Sequence, residues 1–322
     1  MSQLLTMIEA ADSVVILGHT NPDGDCVGSA LGMYHYIRTW KPEKEVMVCL
    51  EEPHAKFSYL AGFGEIVHEA PEKSFDLCIC LDASDPARLG AFEPLLHSAA
   101  HSICVDHHKT NQGYCEYNVV RGGLSSACET LYELLDPEQI DRDTAECLYT
   151  GIIHDTGVFR FDCTSARTME IAGKLMACGI PFTRIIDDSY FRKSYEQSQI
   201  LGRALLESVR FMDGRCIFSV VKKKDMDFCG VTKKDLDGIV DQLRTIEGVE
   251  VAIFLYELEN QTYKVSLRSN ALVDVSEVAF HFGGGGHSKA AGCSMTGSIH
   301  DVVNNLSELI ALQLQPESAQ DD

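Results

Sequence analysis

The strongest constraint on the fold is a series of short, uniformly apolar segments that alternate with helical patterns through the first half of the chain. The segments are SVVILG (13–18), EVMVCL (45–50), FDLCICLD (75–82) and HSICVD (101–106). Strands that lack an alternating polar face are typical of parallel sheets, which are covered by helices on both faces. Because strands and helices take turns along the chain, this half is expected to form an α/β domain with a doubly wound parallel sheet.

Three of these segments run directly into polar clusters. The clusters are GHTNPDGD from residue 18, LDASD from residue 81 and VDHH from residue 105. In open α/β sheets, ligands bind in a crevice at the carboxyl ends of the strands. The three clusters are therefore expected to lie close together. A fourth cluster, HDTG at 154–157, follows a predicted helix at 141–153.

The side chains of these clusters have the chemistry of metal ligands. His19, Asp23 and Asp25 lie within one tight turn, and further aspartates and histidines occupy the other clusters. Carboxylate oxygens combined with imidazole suit Mn²⁺, and less often Mg²⁺, Zn²⁺ or Fe²⁺. Taken alone, the first cluster is equally well explained as an Asx-rich turn that caps a helix. The recurrence of the same residue types in three more clusters favours a metal site.

The second half of the chain predicts a smaller α/β domain with a mixed sheet. A glycine-rich loop at 283–286 leads into a run of small residues, SKAAGC, that we interpret as the start of a helix. The predicted strands at 249–258 and 262–270 are separated by Glu259-Asn260-Gln261, which suggests a hairpin. The predicted strands lie at 215–222, 249–258 and 262–270. The predicted helices lie at 232–245 and 298–313.

The length and charge of the chain narrow the function further. At 322 residues the chain exceeds the usual size of one domain, and a boundary is expected near 190–210. The formal net charge of −21 argues against a protein that coats long nucleic acid through a basic surface. It does not exclude a small phosphorylated substrate, because carboxylates that hold cations count as negative in this sum.

Membrane insertion and disulfide bonding are not expected. No apolar run approaches the roughly 20 residues that span a bilayer. The N-terminal segment MSQLLTMIEAADS lacks the basic and apolar regions of a signal peptide, so a cytoplasmic protein is expected. The thirteen cysteines fall partly within apolar strands, and we interpret them as buried free thiols.

The four clusters, in this order, resemble the motifs of DHH phosphoesterases. The C-terminal segments SLRSN (266–270) and GGGGHSKAAG (283–292) are similar to the DHHA1 domain that accompanies the DHH domain. The resemblance spans about residues 10 to 295, and the subgroup that it favours is the bacterial nanoRNase/pAp phosphatases. It implies a DHH catalytic, metal-binding domain at 1–190, a helical linker at 191–210 and a DHHA1 substrate-binding domain at 211–315.

The resemblance also implies a role for each residue of the clusters. His19 and Asp23 are expected to hold one divalent cation, and Asp82 is expected to bridge it to a second one. The second cation is expected on Asp25, His107 and Asp155. Mn²⁺ is the expected ion at both positions, with Mg²⁺ or another divalent ion as the alternative.

Further residues are expected to act on the substrate. By the resemblance, Asp106 accepts a hydrogen bond from a neighbouring histidine, and His108 faces the substrate and offsets the charge of the phosphate. A structural hydrogen bond is the other interpretation of His108. The expected substrate-binding residues are Arg268, Ser269, Gly285, Gly286 and His287. Glycines without a Cβ allow the backbone to approach a phosphate or ribose closely, and an arginine can bind a phosphate through two hydrogen bonds.

The resulting hypothesis is a two-metal phosphoesterase that hydrolyses short oligoribonucleotides (nanoRNA), 3′-phosphoadenosine 5′-phosphate (pAp), or both. A manganese-dependent inorganic pyrophosphatase is one alternative. A receptor that binds nucleotides or cyclic dinucleotides without turnover is another. A long-strand exonuclease fits the acidic composition poorly. The resemblance favours a homodimer.

Overall fold

The computed structural model describes residues 2–314, which form two compact units that divide between Arg192 and Lys193. The outer bounds of the two predicted domains, residues 1 and 315, lie outside the described residues. Each unit contains one sheet covered by helices. The strands of the first unit are β1 (Ser13–Leu17), β2 (Glu45–Cys49), β3 (Leu77–Leu81), β4 (His101–Asp106) and β5 (Tyr117–Val120).

The first sheet is parallel throughout, with the strand order β2-β1-β3-β4-β5. Alternate residues of its strands enter two separate cores. In β1, Val14 and Ile16 belong to one core, and Val15 and Leu17 belong to the other. Burial on both faces explains the uniformly apolar strands. The predicted doubly wound α/β class is confirmed.

The helices of the first unit cover these two faces. They are α1 (Gln3–Ala10), α2 (Gly24–Trp40), α3 (Glu93–Ser98), α4 (Ala127–Tyr132), α5 (Arg142–Asp155), α6 (Ala166–Ala177) and α7 (Phe182–Ile186). The closest pair is α2 and α5, which pack antiparallel. A Cβ on Gly28 of α2 would lie 2.5 Å from the Cys147 carbonyl oxygen of α5. This close approach brings the start of α2 beside the end of α5, where Asp155 lies.

The second unit contains a six-stranded mixed sheet with the strand order β10-β11-β9-β8-β7-β6, in which only β7 and β8 run parallel. Its strands are β6 (Val209–Phe211), β7 (Cys216–Val221), β8 (Val251–Glu259), β9 (Thr262–Ser269), β10 (Gly285–His287) and β11 (Ala290–Thr296). The predicted hairpin between β8 and β9 is confirmed, and Gln261 adopts a positive φ of 58° in its turn.

Five α-helices complete the second unit as far as residue 314, the last one that the structure describes. They are α8 (Tyr195–Leu206), α9 (Lys223–Cys229), α10 (Ile239–Arg244), α11 (Val275–His281) and α12 (Ile299–Leu314). One core lies between the sheet and α11 and α12, and a second core includes Ile200 and Ala204 of α8. The segment predicted as a helical linker thus contributes side chains to the core of this unit.

One predicted element of the second unit is wrong. The small residues after the glycine loop were expected to start a helix, but they form strand β11. Ala291, Cys293 and Met295 are buried while the residues between them are more exposed. This period of two is the signature of a strand with one buried face. Within residues 2–314, no helix is long and apolar enough to span a membrane.

Candidate metal centre

The candidate site is built at the carboxyl ends of three adjacent strands, β1, β3 and β4. His19 follows β1, Asp82 directly follows β3, and β4 ends at Asp106. The expectation that these clusters converge is met, because ionisable side chains from all three strand ends lie within a few ångströms of one another. The start of α2 and the end of α5 add further carboxylates to the same site.

One group of potential ligands consists of His19, Asp23 and Asp82. The Nε2 atom of His19 lies 3.6 Å from Oδ1 of Asp23 and 3.4 Å from Oδ2 of Asp82. The other ring nitrogen of His19, Nδ1, donates to the Thr20 carbonyl oxygen at 2.8 Å. A ring held in this way directs Nε2 towards the two carboxylates, and such a hydrogen bond from the other ring nitrogen is common around metal-bound histidines.

A second group consists of Asp25, His107 and Asp155. The Nε2 atom of His107 lies 3.1 Å from Oδ2 of Asp155 and 3.8 Å from Oδ2 of Asp25. The same nitrogen lies 3.5 Å from Oδ1 of Asp82. The two oxygens of Asp82 thus face different groups, Oδ2 towards His19 and Oδ1 towards His107.

No local sequence pattern predicts how the Asp25 side chain is held. Its carboxylate is fully buried and accepts hydrogen bonds from the backbone N–H groups of Ala127 (2.6 Å) and Cys128 (2.9 Å). These two groups open helix α4, whose first-turn N–H groups have no partner within the helix. The segment SSAC at 125–128 therefore belongs to the site through its backbone N–H groups.

The site concentrates negative charge in a buried place. Burial and the charges of Asp82 and Asp155 raise the pKa of Asp25 well above its usual value. Burial chiefly raises the pKa of Asp155 to about 6, with a further contribution from Asp82. Burial would lower the pKa of His107, but the surrounding carboxylates of Asp155, Asp82 and Asp25 outweigh burial and raise the pKa to about 12.

These residues fit divalent cations. Oδ1 of Asp82 is buried and has no hydrogen-bond partner among residues 2–314. A buried polar atom without a partner is costly unless a ligand, water or ion satisfies it. The donors around it are carboxylate oxygens and imidazole nitrogens, the set preferred by Mn²⁺ and related ions. The clusters can therefore bind metal.

Asp106 and His108 form a hydrogen-bonded pair beside these groups, and His108 also belongs to a third group of potential ligands with Asp82 and His107. Nδ1 of His108 donates to Oδ1 of Asp106 at 2.7 Å, and the backbone N–H of His107 donates to the same oxygen at 2.8 Å. Asp106 is fully buried, whereas the His108 side chain is 28% exposed. Burial would raise the pKa of Asp106, but the hydrogen bonds from His108 and Asn111 outweigh it and keep the pKa below its usual value.

The predicted substrate-binding residues all lie in the second unit. Nε of Arg268 donates to Oδ1 of Asp241 at 3.0 Å, so this arginine is already paired. Ser269 is buried, and its hydroxyl donates to the Val273 carbonyl oxygen at 2.6 Å. This contact makes Ser269 a support of the adjoining loop.

Gly285, Gly286 and His287 form the exposed edge strand β10. Gly286 has a φ of 147°, and a Cβ at this position would lie 2.5 Å from the Ala290 carbonyl oxygen. Only glycine fits there. In the strand register His287 lies opposite Ala290, which in turn lies opposite Arg268, so all three side chains share one face of the sheet.

Comparison with known proteins matches both units of the chain. The chain matches the DHH family, N-terminal domain, over residues 13–152 and the DHHA1 domain over residues 214–315. It is 27% identical to the bifunctional oligoribonuclease and PAP phosphatase NrnA of Thermus thermophilus, an alignment that covers 92% of this chain and 88% of the relative. The protein of the same name from Bacillus subtilis is also 27% identical, over 91% of this chain and 93% of the relative.

A solved structure shares the whole architecture. It is the crystal structure of an exopolyphosphatase-related protein from Bacteroides fragilis, with a TM-score of 0.88 and 25% sequence identity, covering 96% of this chain and 94% of that one. A DHH domain is thus followed by a DHHA1 domain, as the motifs predict, and the chain belongs to the DHH/DHHA1 family.

Proposed function

We propose that this protein is a metal-dependent phosphoesterase that hydrolyses short oligoribonucleotides and pAp to mononucleotides. The observation that carries the proposal is the position of Asp82, whose two oxygens face two different groups of potential metal ligands. Such a shared carboxylate suits a pair of cations, which is a common arrangement in phosphatases and nucleases. The names of the relatives from Thermus thermophilus and Bacillus subtilis support the substrate class.

The ligands divide into two sets in this proposal. His19 and Asp23 would hold one cation, and Asp82 would be shared between the two cations. Asp25, His107 and Asp155 hold the other. Mn²⁺ is the ion that we propose for both positions. When bound, the two cations supply a nucleophilic water at neutral pH and neutralise charge on the phosphate.

His108 acts on the substrate in this proposal. Its Nδ1 atom is occupied by the bond to Asp106, which fixes the ring and leaves Nε2 for a phosphate oxygen. Negative charge builds up on the phosphoryl oxygens during the reaction, and a donor that is already in place stabilises it without reorganisation. Asp106 itself does not touch the substrate but orients the ring that does.

The second unit supplies nucleotide binding. Arg268 and His287 lie on the same face of the sheet, separated by the small side chain of Ala290. The exposed backbone of Gly285 and Gly286 gives a phosphate or ribose close access to N–H groups. We propose that these residues, with Ser269 supporting their loop, bind the nucleotide.

The proposal extends to the setting of the enzyme. All thirteen cysteines are free thiols, and most of them are buried, which suits the reducing cytoplasm. We also propose a homodimer, as the family resemblance favours. Size-exclusion chromatography with light scattering gives the mass directly, and a mass of one chain at micromolar concentration contradicts the dimer.

A substrate panel tests the proposed function. Release of phosphate and mononucleotides is measured with pAp, a short RNA oligomer and pyrophosphate, each with Mn²⁺ and with a chelator. Mn²⁺-dependent release of AMP or mononucleotides is the expected result. Cleavage of pyrophosphate alone overturns the proposal in favour of a pyrophosphatase, and tight nucleotide binding without turnover overturns it in favour of a receptor.

A further inference from the structure

The loop that follows β4 carries a buried asparagine, Asn111, whose side chain is fully hydrogen-bonded. Its Nδ2 donates to Oδ2 of Asp106 at 2.7 Å and to the Ala83 carbonyl oxygen at 3.2 Å. Its Oδ1 accepts from the backbone N–H of Gly113 at 2.8 Å. An amide offers two donor hydrogens and an acceptor on one planar group, which matches this set of partners.

Asp106, the first partner of Asn111, also accepts a hydrogen bond from His108. Asp106 has two oxygens, and Asn111 binds one of them while His108 Nδ1 and the His107 backbone N–H bind the other. The carboxylate plane is therefore set from both sides. If Asn111 were removed, Oδ2 of Asp106 would lose this hydrogen bond in a buried place. The orientation of the His108 ring depends on that carboxylate.

Ala83, the second partner of Asn111, is the residue that follows Asp82. The Ala83 carbonyl oxygen also accepts from the Tyr114 hydroxyl at 2.9 Å and lies 3.9 Å from the Cys104 thiol. Asp82, the preceding residue, has the positive φ of 55°, which non-glycine residues rarely adopt. Its own backbone N–H donates to the Val105 carbonyl oxygen at 3.1 Å. Hydrogen bonds on both sides of Asp82 thus hold this backbone in place.

We propose that Asn111 is a positioning residue that ties the end of β3 to the end of β4, and so orients both the shared carboxylate of Asp82 and the ring of His108. It contacts neither metal nor substrate in this role. The inference rests on the proposed function for its effect on turnover, but its effect on metal binding is independent of the substrate. One side chain thereby couples the metal centre to the residue that acts on the phosphate.

Two variants of Asn111 test the proposal. Asn111→Asp keeps the shape of the side chain but removes both donor hydrogens and places a carboxylate against Asp106. Asn111→Ala removes the group altogether. We expect kcat for pAp and the affinity for Mn²⁺ each to fall by about 10- to 100-fold, as is typical when a group that supports a metal ligand is lost. KM should change little, because Asn111 does not touch the substrate.

Asn118, on the adjoining strand β5, provides a matched control. Its Oδ1 accepts from the backbone N–H groups of Tyr114 and Cys115, and its Nδ2 donates to the Cys115 carbonyl oxygen, but it bonds to neither Asp106 nor Ala83. Asn118→Ala should lower the melting temperature while kcat and Mn²⁺ affinity stay within about twofold of wild type, the scale of a change that loses no supporting group.

Calorimetric titration with Mn²⁺ and steady-state kinetics with pAp are run on wild type and on all three variants, with circular dichroism to confirm folding. A folded Asn111 variant that keeps wild-type kcat and Mn²⁺ affinity overturns the inference. An Asn118→Ala protein that loses as much Mn²⁺ affinity as the Asn111 variants overturns it too, since loop order would then be the cause. If wild type hydrolyses none of the substrates, the proposed function fails, while the Mn²⁺ titrations still decide the role of Asn111.

Discussion

At the scale of single residues, the proposed metal centre depends most on Asp82. It is buried, its φ is positive, and its oxygens face His19 on one side and His107 on the other. Strained backbone of this kind is retained where the surrounding structure determines it, often at functional sites. The sequence identified Asp82 by its place after an apolar strand. It did not reveal the backbone conformation, which depends on contacts with distant parts of the chain.

Asp82→Asn is the most specific single substitution that tests the role of Asp82 in turnover. Asparagine tolerates a positive φ and preserves the shape of the side chain, so the variant should fold. One negative charge is lost between the two groups of ligands, and turnover should fall by more than the roughly 100-fold that loss of a supporting group costs. The kcat for pAp at saturating Mn²⁺ measures this effect.

Asp85→Asn is the control for this substitution. Asp85 lies on the same loop, is exposed, and accepts a hydrogen bond from the backbone N–H of Arg88 as a helix cap. Asparagine caps helices nearly as well as aspartate, so activity should remain. Wild-type turnover in Asp82→Asn, or an equal loss in both variants, would argue against a specific role for Asp82.

Asp25 illustrates what the sequence could not predict at this scale. The carboxylate itself was identified in the cluster GHTNPDGD. The N–H groups that hold it belong to Ala127 and Cys128, which lie more than a hundred residues further along the chain. No local pattern records such a contact, because it arises only when α4 packs beside α2.

At the scale of elements, the metal centre depends on how closely α2 and α5 approach. Gly28 has no room for a Cβ, which would lie 2.5 Å from the Cys147 carbonyl oxygen and 2.9 Å from the Gly151 backbone nitrogen. Gly28→Ala should therefore destabilise the protein by about 1–3 kcal/mol, the usual cost of overpacking. Thermal unfolding followed by circular dichroism measures the loss.

Gly173→Ala is the matched control for Gly28→Ala. Gly173 lies within helix α6, and a Cβ there would meet nothing within 4 Å. Alanine should stabilise this helix by roughly 0.4–1 kcal/mol, because it restricts the unfolded chain. If both substitutions change stability in the same direction, the close packing of α2 and α5 is not the cause.

The secondary structure was predictable where the apolar pattern was strong. Strands β1 to β4 of the first sheet were predicted correctly because their residues are buried on both faces, which makes their sequences uniformly apolar. Strand β11 was mistaken for a helix because Ala and Gly hide the period of two that only its buried side, Ala291, Cys293 and Met295, makes clear. Short strands such as β6, with three residues, offer too few positions for any pattern.

At the scale of the whole molecule, we propose that the first unit binds metal and the second unit binds the nucleotide. Every potential metal ligand described above lies before Arg192, and every predicted nucleotide-binding residue lies after Lys193. Substitutions in the second unit should therefore alter nucleotide binding without altering metal binding. The order of the motifs predicts this proposed division, whereas no sequence pattern predicts the pairing of Arg268 with Asp241.

Arg268→Ala tests this division. The value of kcat/KM for pAp should fall by about 10- to 100-fold, since a hydrogen bond to a charged group contributes roughly 1.5–3 kcal/mol. Mn²⁺ affinity, measured by calorimetry, should not change. Arg210→Ala, on β6 at the opposite edge of the same sheet, is the control and should leave both quantities unaltered. A loss of Mn²⁺ affinity in Arg268→Ala would contradict the division.

Removal of metal should destabilise the first unit. Cations relieve the repulsion among buried carboxylates that raises the pKa of Asp25. Binding at a concentration of 100 times Kd adds about 2.7 kcal/mol per site to the folded state. Differential scanning calorimetry should show a transition that moves to higher temperature with Mn²⁺ and back with chelator. A thermogram that is indifferent to both would contradict a metal site in this unit.

The central claim is that two cations share Asp82, and the most direct measurement is a Mn²⁺ titration of the metal-free protein followed by calorimetry and electron paramagnetic resonance. Two ions bound per chain are expected, with a spin-coupled spectrum that disappears in Asp82→Asn. A single ion per chain, or two ions whose uncoupled spectrum is the same in wild type and Asp82→Asn, would contradict the account.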